Sequence, residues 1–141
     1  MSNIVRLLGE GGSRKVYLLR SGNVLKIEKD VCIADNDVEA RIYQLAREVG
    51  LQHRLAQCHL SSDGLVMEYV DTTAQCLGKK LPVWTRLIDN NQVGFSRKGV
   101  LVAYDYTNLL PQEPAVYFDG SRFSVKSEKE ALEETLRLMQ K

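Results

Sequence analysis

A glycine cluster, a lysine set in an apolar run and a glutamate on a helical pattern follow one another in the first third of the chain. Gly9-Glu10-Gly11-Gly12-Ser13-Arg14-Lys15-Val16-Tyr17 comes first. Glycines let backbone N–H groups come close to a polyphosphate, and Val16 adds an apolar face beside them. Lys26 sits inside Val24-Leu25-Lys26-Ile27. A lysine on the inner face of a sheet must either reach water along its own stem or meet an anion. Glu39 can supply that anion. Much later, Asp105 ends the apolar run Val100–Tyr104, where a carboxylate stands free of the strand's own needs.

These residues need a scaffold, and the pattern of apolar residues supplies one. Ile4–Leu8, Val16–Leu19 and Val24–Ile27 read as three short strands, with the glycine cluster and Ser21-Gly22-Asn23 as turns. From Asp37 the period changes to that of a helix through Val38, Ile42, Leu45, Ala46 and Val49. Asn36 or Asp37 is expected to cap its start and Gly50 to end it. Leu55–Leu60 and Leu65–Val70 then form a hairpin about Ser61-Ser62-Asp63-Gly64. Residues 71–80 are polar and suit a linker within the domain. Val93–Phe95 with Val100–Tyr104, and Ala115–Phe118 with Arg122–Val125 about Asp119-Gly120, make two more hairpins. Ser127-Glu128-Lys129-Glu130 is a capping box opening a last helix, with Leu132, Leu136 and Met139 on one stripe.

The order strand, glycine turn, strand, strand with lysine, helix with glutamate, hairpin resembles the nucleotide-binding lobe of the protein kinases. Gly9, Gly11 and Val16 match the family's GxGxxGxV loop, with Arg14 where the third glycine belongs and Gly12 displaced. Lys26 resembles the lysine of the VAIK strand and Glu39 its partner on the following helix. The resemblance implies that this pair meets the α- and β-phosphates of ATP. It also implies that Met67 guards the adenine pocket and that backbone at Glu68 to Val70 holds the adenine edge. Asp105 resembles the metal-binding aspartate of DFG, with Tyr106 and Thr107 in place of the phenylalanine and glycine. Asn91 or Gln92 would then be the second ligand to Mg²⁺.

The family pattern fails further on. Trp84-Thr85-Arg86-Leu87 stands where H-R-D is expected, and Asp89 is the one stand-in for its base. No activation segment follows Asp105, and the stretch between Val70 and Trp84 is too short for the helices that support a kinase catalytic loop. The resemblance covers residues 1–70 well, 84–107 loosely and 108–141 not at all. The expected fold is α+β: one domain, 1–141, with a kinase-like lobe over 1–70 and a reduced part of hairpins and a terminal helix over 71–141. Three functions stay open. One is a minimal atypical kinase that binds ATP with Mg²⁺ and transfers phosphate to a protein Ser, Thr or Tyr. The second is an inactive pseudokinase that binds a protein partner. The third is an unrelated α+β interaction domain, whose glycine turn is turn chemistry alone.

Composition narrows the rest. The 141 residues carry 44% hydrophobic types, enough for one core, and a net charge of only +1. A dedicated nucleic-acid binder needs a concentrated basic surface, so nucleic acid is not an expected partner. Cys32, Cys58 and Cys76 are odd in number and widely spaced, which suggests neither a zinc site nor a disulfide framework. His53 and His59 fall in the first half, away from any catalytic loop. Residues 1–6 lack the apolar stretch of a secretion leader, and no window approaches the roughly 20 apolar residues of a membrane span. The expectation is a cytoplasmic protein. Trimmed kinases also occur among bacterial effectors and phage proteins, and by that family analogy delivery into a host cytosol is the alternative expectation.

Overall fold

Short apolar runs punctuated by tight turns fold the start of the chain into an antiparallel meander of β1 (Ile4–Glu10), β2 (Arg14–Leu19) and β3 (Val24–Glu28). A computed structural model describes residues 3–73, 81–89, 92–110, 116–118, 123–125 and 127–141. After the helix α1 (Asp35–Glu48) the chain returns as β4 (Cys58–Ser61) and β5 (Gly64–Met67). The five strands form one antiparallel sheet in the order β1-β2-β3-β5-β4. β5 inserts beside β3, pairing Leu65 with Lys26 and Met67 with Val24. Two small antiparallel pairs follow, β6 (Val93–Phe95) with β7 (Leu101–Ala103), and β8 (Val116–Phe118) with β9 (Phe123–Val125). The terminal helix α2 (Glu128–Met139) completes an α+β architecture. The expected linker residues 74–80 and the Asp119-Gly120 turn lie outside the described residues.

α1 lies against β3, β4 and β5 and also touches α2. Its apolar stripe buries Ile42, Tyr43 and Ala46. At its end Gly50 takes φ +72°, donates to the Arg47 carbonyl, and lets Leu51 N–H reach back to Ala46. That is the Schellman arrangement, which a side chain at Gly50 would oppose. The start corrects the sequence expectation. The helix begins at Asp35 after Ala34, and neither Asn36 nor Asp37 caps it. The Asn36 N–H goes instead to the Glu28 carboxylate at the end of β3, 3.1 Å away, which frees the Asn36 side chain for the interior. α2 does open as expected: Ser127 Oγ accepts from Glu130 N–H at 3.2 Å, and Leu132, Leu136 and Met139 are buried.

The hairpin β4–β5 starts later than its apolar run suggested. Leu55 and Ala56 leave β4 to join β7: Leu55 bridges Ala103, whose carbonyl accepts the Ala56 N–H at 2.8 Å. A second seam ties β6 to the residues after β5. Asp71 and Phe95 exchange both backbone hydrogen bonds, at 2.8 and 2.9 Å. The chains approach so closely there that a Cβ on Gly94 would stand 2.4 Å from the Asp71 carbonyl oxygen. The core runs through both parts, from Val24, Ile42, Leu65 and Met67 to Val102, Tyr106, Leu132 and Leu136. Among the described residues no helix is long and apolar enough to cross a membrane.

Candidate functional site

β3 holds Lys26 with its side chain only 5% exposed, and α1 holds Glu39 with none. Their charged ends meet, Nζ to Oε1, at 2.7 Å. Burial makes this pairing obligatory, because an ammonium out of water is tolerated only beside an anion. Lys26 also donates to the Tyr104 carbonyl. Glu39 uses its other oxygen, Oε2, to accept the Tyr106 N–H at 2.8 Å. The ion pair therefore grips the backbone on both sides of Asp105. Tyr106 is fully buried below, with its hydroxyl donating to the Ala56 carbonyl at 2.8 Å and lying 3.1 Å from Cys58 Sγ.

Arg14 joins this group from the end of the glycine turn. Its NH1 donates to Glu39 Oε1 at 2.9 Å and to Asn36 Oδ1 at 3.2 Å. Its NH2 lies 3.4 Å from Asp105 Oδ1. Asn36 closes the set by donating from Nδ2 to the Lys26 carbonyl at 2.9 Å. Two cations and two carboxylates thus share one buried network. Burial pulls the Lys26 pKa below the ordinary lysine value, against the attraction of Glu39. Burial also opposes the charge on Arg14, but Glu39 and Asp105 outweigh it and hold the guanidinium above its usual value. Asp105 is pushed upward by burial and then by Glu39, with Lys26 and Arg14 pulling the other way.

Above the network lies an open cleft of about 660 Å³. Gly9, Gly11, Gly12 and Val16 form its roof, Lys26 and Arg14 its basic wall, and Asp89, Gln92, Asp105 and Asn108 its polar oxygen-bearing wall. The turn is closed by Gly11 N–H to the Arg14 carbonyl at 2.9 Å. It is tied to α1 by the Ser13 hydroxyl, which donates to Asp35 at 2.5 Å. The roof glycines have no internal reason to be glycine. None has a positive φ, a Cβ on Gly9 or Gly12 would meet nothing within 4 Å, and one on Gly11 would only reach the Arg14 carbonyl at 4.0 Å. A side chain there would enter open space, and all three glycines line the cleft.

The structure brings Gly9, Gly11, Gly12, Val16, Lys26, Asp89, Gln92 and Asp105 to this one cleft, with Glu39 directly behind Lys26. It does not bring Met67, Glu68 and Val70 there. Met67 is buried between Val24 and Cys58 in the sheet, and Val70 packs beside Gly94. The Glu68 N–H is given to the Gln57 carbonyl at 2.9 Å, and its carboxylate accepts the Gln57 N–H at 2.7 Å. That N–H has no capacity left for a ligand. Asn91 lies outside the described residues. Both histidines are exposed. Sequence reasoning missed Arg14, Asn36, Asp35 and Asn108.

Neither protein-family models, nor curated proteins, nor solved structures give a match to this chain.

Proposed function

We propose that this chain is a minimal kinase-like protein that binds ATP with Mg²⁺ beneath the Gly9–Val16 turn and transfers the terminal phosphate to a protein hydroxyl. The observation that carries this is the buried Lys26–Glu39 pair, 2.7 Å apart, at the base of a cleft whose glycine roof the fold itself does not require. An ammonium has three N–H donors. Glu39 and the Tyr104 carbonyl take two of them, which leaves one for a phosphate oxygen in the cleft. Val16 gives the adenine ring an apolar contact.

The donor set suits Mg²⁺. Asp105, Gln92 and Asn108 bring hard oxygen donors to one cleft, the type this ion selects. Four carboxylates line the cleft (Glu10, Asp35, Asp89 and Asp105) against the cations Arg14 and Lys26, so a bare polyphosphate needs a divalent counter-charge to enter. Asp105 and Gln92 would hold the ion, which neutralises charge between the β- and γ-phosphates. Asp89 lines both this cleft and an adjoining one of about 780 Å³. That is where a base must stand, between phosphate donor and acceptor. In the transfer the acceptor oxygen bonds to the γ-phosphorus and the bond to the β–γ bridging oxygen breaks. The hydroxyl proton passes to the Asp89 carboxylate, and ADP leaves.

Thermal denaturation with ATP and Mg²⁺ tests the binding. A ligand at about a hundred times its Kd stabilises the folded state by roughly 2.7 kcal/mol, and Lys26→Met should remove that gain. Equal midpoints with and without nucleotide would leave only the unrelated interaction domain. The contact between Arg14 and Asp105 favours a second reading, a nucleotide-binding protein without transfer, because it engages the aspartate that the metal needs. Labelled ATP separates the two. Label on the protein or on an added protein acceptor supports transfer; binding without label supports the silent form.

A further inference from the structure

We propose that Arg14 is a second phosphate-binding cation, parked on Asp105 until nucleotide and divalent ion enter the cleft together. This rests on the nucleotide site proposed above. An arginine at the end of a glycine turn would ordinarily extend into water, yet this side chain is only 6% exposed. Its two amino groups are held very differently. NH1 is anchored on α1 by both Glu39 and Asn36, at 2.9 and 3.2 Å. Among the described residues NH2 has Asp105 alone, at 3.4 Å, longer than the about 2.7–2.9 Å of a well-made charge-assisted bond. The guanidinium is fixed at one end and loosely held at the other. The loose end faces a carboxylate that is 32% exposed on the cleft wall.

Asp105 cannot serve a guanidinium and a divalent cation at full strength, since the two cations repel each other there. With a phosphate in the cleft, NH2 gains another anionic acceptor, and the planar fork of arginine matches phosphate oxygens well. Arg14 then has opposite effects in the two situations. Without nucleotide it competes with the ion for Asp105. With nucleotide it leaves Asp105 to the ion and binds phosphate. Removing the guanidinium should therefore tighten binding of the ion alone and weaken binding of nucleotide with the ion. A purely structural residue would move both in the same direction, or neither.

The test measures Mn²⁺ alone by electron paramagnetic resonance and labelled ATP by equilibrium dialysis at saturating Mn²⁺ and in chelator. Wild type, Arg14→Gln, Arg14→Lys and Asp105→Asn are compared, with far-UV circular dichroism as the check on folding. Arg14→Gln should bind Mn²⁺ alone on the order of tenfold tighter and ATP with Mn²⁺ on the order of tenfold weaker, with Arg14→Lys between. Asp105→Asn should lose Mn²⁺ binding, and adding Arg14→Gln to it should restore nothing. The wild type itself should bind ATP more tightly with Mn²⁺ than in chelator, so the coupling is measured even if Arg14→Gln fails to fold. If Arg14→Gln folds and leaves both affinities unchanged, or lowers both, the exchange is wrong while the nucleotide site stands. If wild type takes up ATP equally with Mn²⁺ and in chelator, the exchange is wrong too. If it takes up no ATP under either condition, both proposals fall.

Discussion

Glu39 Oε2 accepts the backbone N–H of Tyr106 at 2.8 Å, although 67 positions of chain separate the two residues. The other oxygen of the same carboxylate takes Lys26 and Arg14. One acid with no exposed surface thereby sets the position of two cations and of the backbone beside Asp105.

Replacing Glu39 by Ala should cost about 3–5 kcal/mol of folding stability, because it leaves two buried cations without their shared partner. Urea denaturation at neutral pH measures this. A loss below about 1 kcal/mol would mean that the network adds little to the fold. Glu39→Gln, which keeps an oxygen for the Tyr106 N–H, should fall between Ala and wild type.

The glycines separate fold from function. Gly94→Ala should destabilise by about 1–3 kcal/mol, since its Cβ would press on the Asp71 carbonyl and part the seam between Asp71 and Phe95. Gly9→Ala and Gly12→Ala meet no neighbour and should stay within about 0.5 kcal/mol of wild type while weakening nucleotide binding. Denaturation and dialysis read the two effects apart. A roof variant that unfolds the protein but leaves affinity intact would reverse the assignment.

Asp89 bears on transfer rather than on binding. Asp89→Asn should lower phosphate transfer by about 10²–10⁴-fold, the usual contribution of a positioned base. Its nucleotide affinity should remain close to wild type. Steady-state rates with labelled ATP decide this, and an unchanged rate would remove Asp89 from the chemistry.

Alkaline pH should weaken the fold through Cys58. Burial pushes its thiol up to about 11. The folded state therefore favours the protonated thiol. That contribution is complete below the unfolded thiol value and is lost as pH rises through about 11. Of the order of 2 kcal/mol should disappear over that interval. Cys58→Ser, which keeps a polar partner for Tyr106, should show a shallower decline. Parallel curves for the two proteins would show that the thiol is not the titrating group.

Much of the scaffold was legible because it rests on local patterns. The strand runs, the helical period from Val38 to Ala46 and the capping box at Ser127 each lie within a few neighbouring residues. The approach of Lys26 to Glu39 was legible for another reason: a charge inside an apolar strand announces its need for a partner. Arg14 and Asn36 were hidden. They are 22 positions apart, and nothing local shows that an arginine in a glycine turn will be drawn inward or that a residue suited to capping will be used elsewhere. The start of β4 was misjudged because Leu55 and Ala56 look apolar whichever sheet they join. Only the tertiary partner, Ala103, distinguishes the two. Met67, Glu68 and Val70 were assigned to the nucleotide site on the family resemblance, while the backbone of Gln57 had already claimed Glu68.

The clamp on either side of Asp105 also means that the two halves are not modular. A fragment ending at Thr73 would keep Lys26 and Glu39 but lose the Tyr104 carbonyl and Tyr106 N–H that satisfy them. Excised in this way, the sheet and its helix would expose an unsealed polar seam and half of a divided core, so the shortest piece worth expressing must run past β7 and include Tyr106.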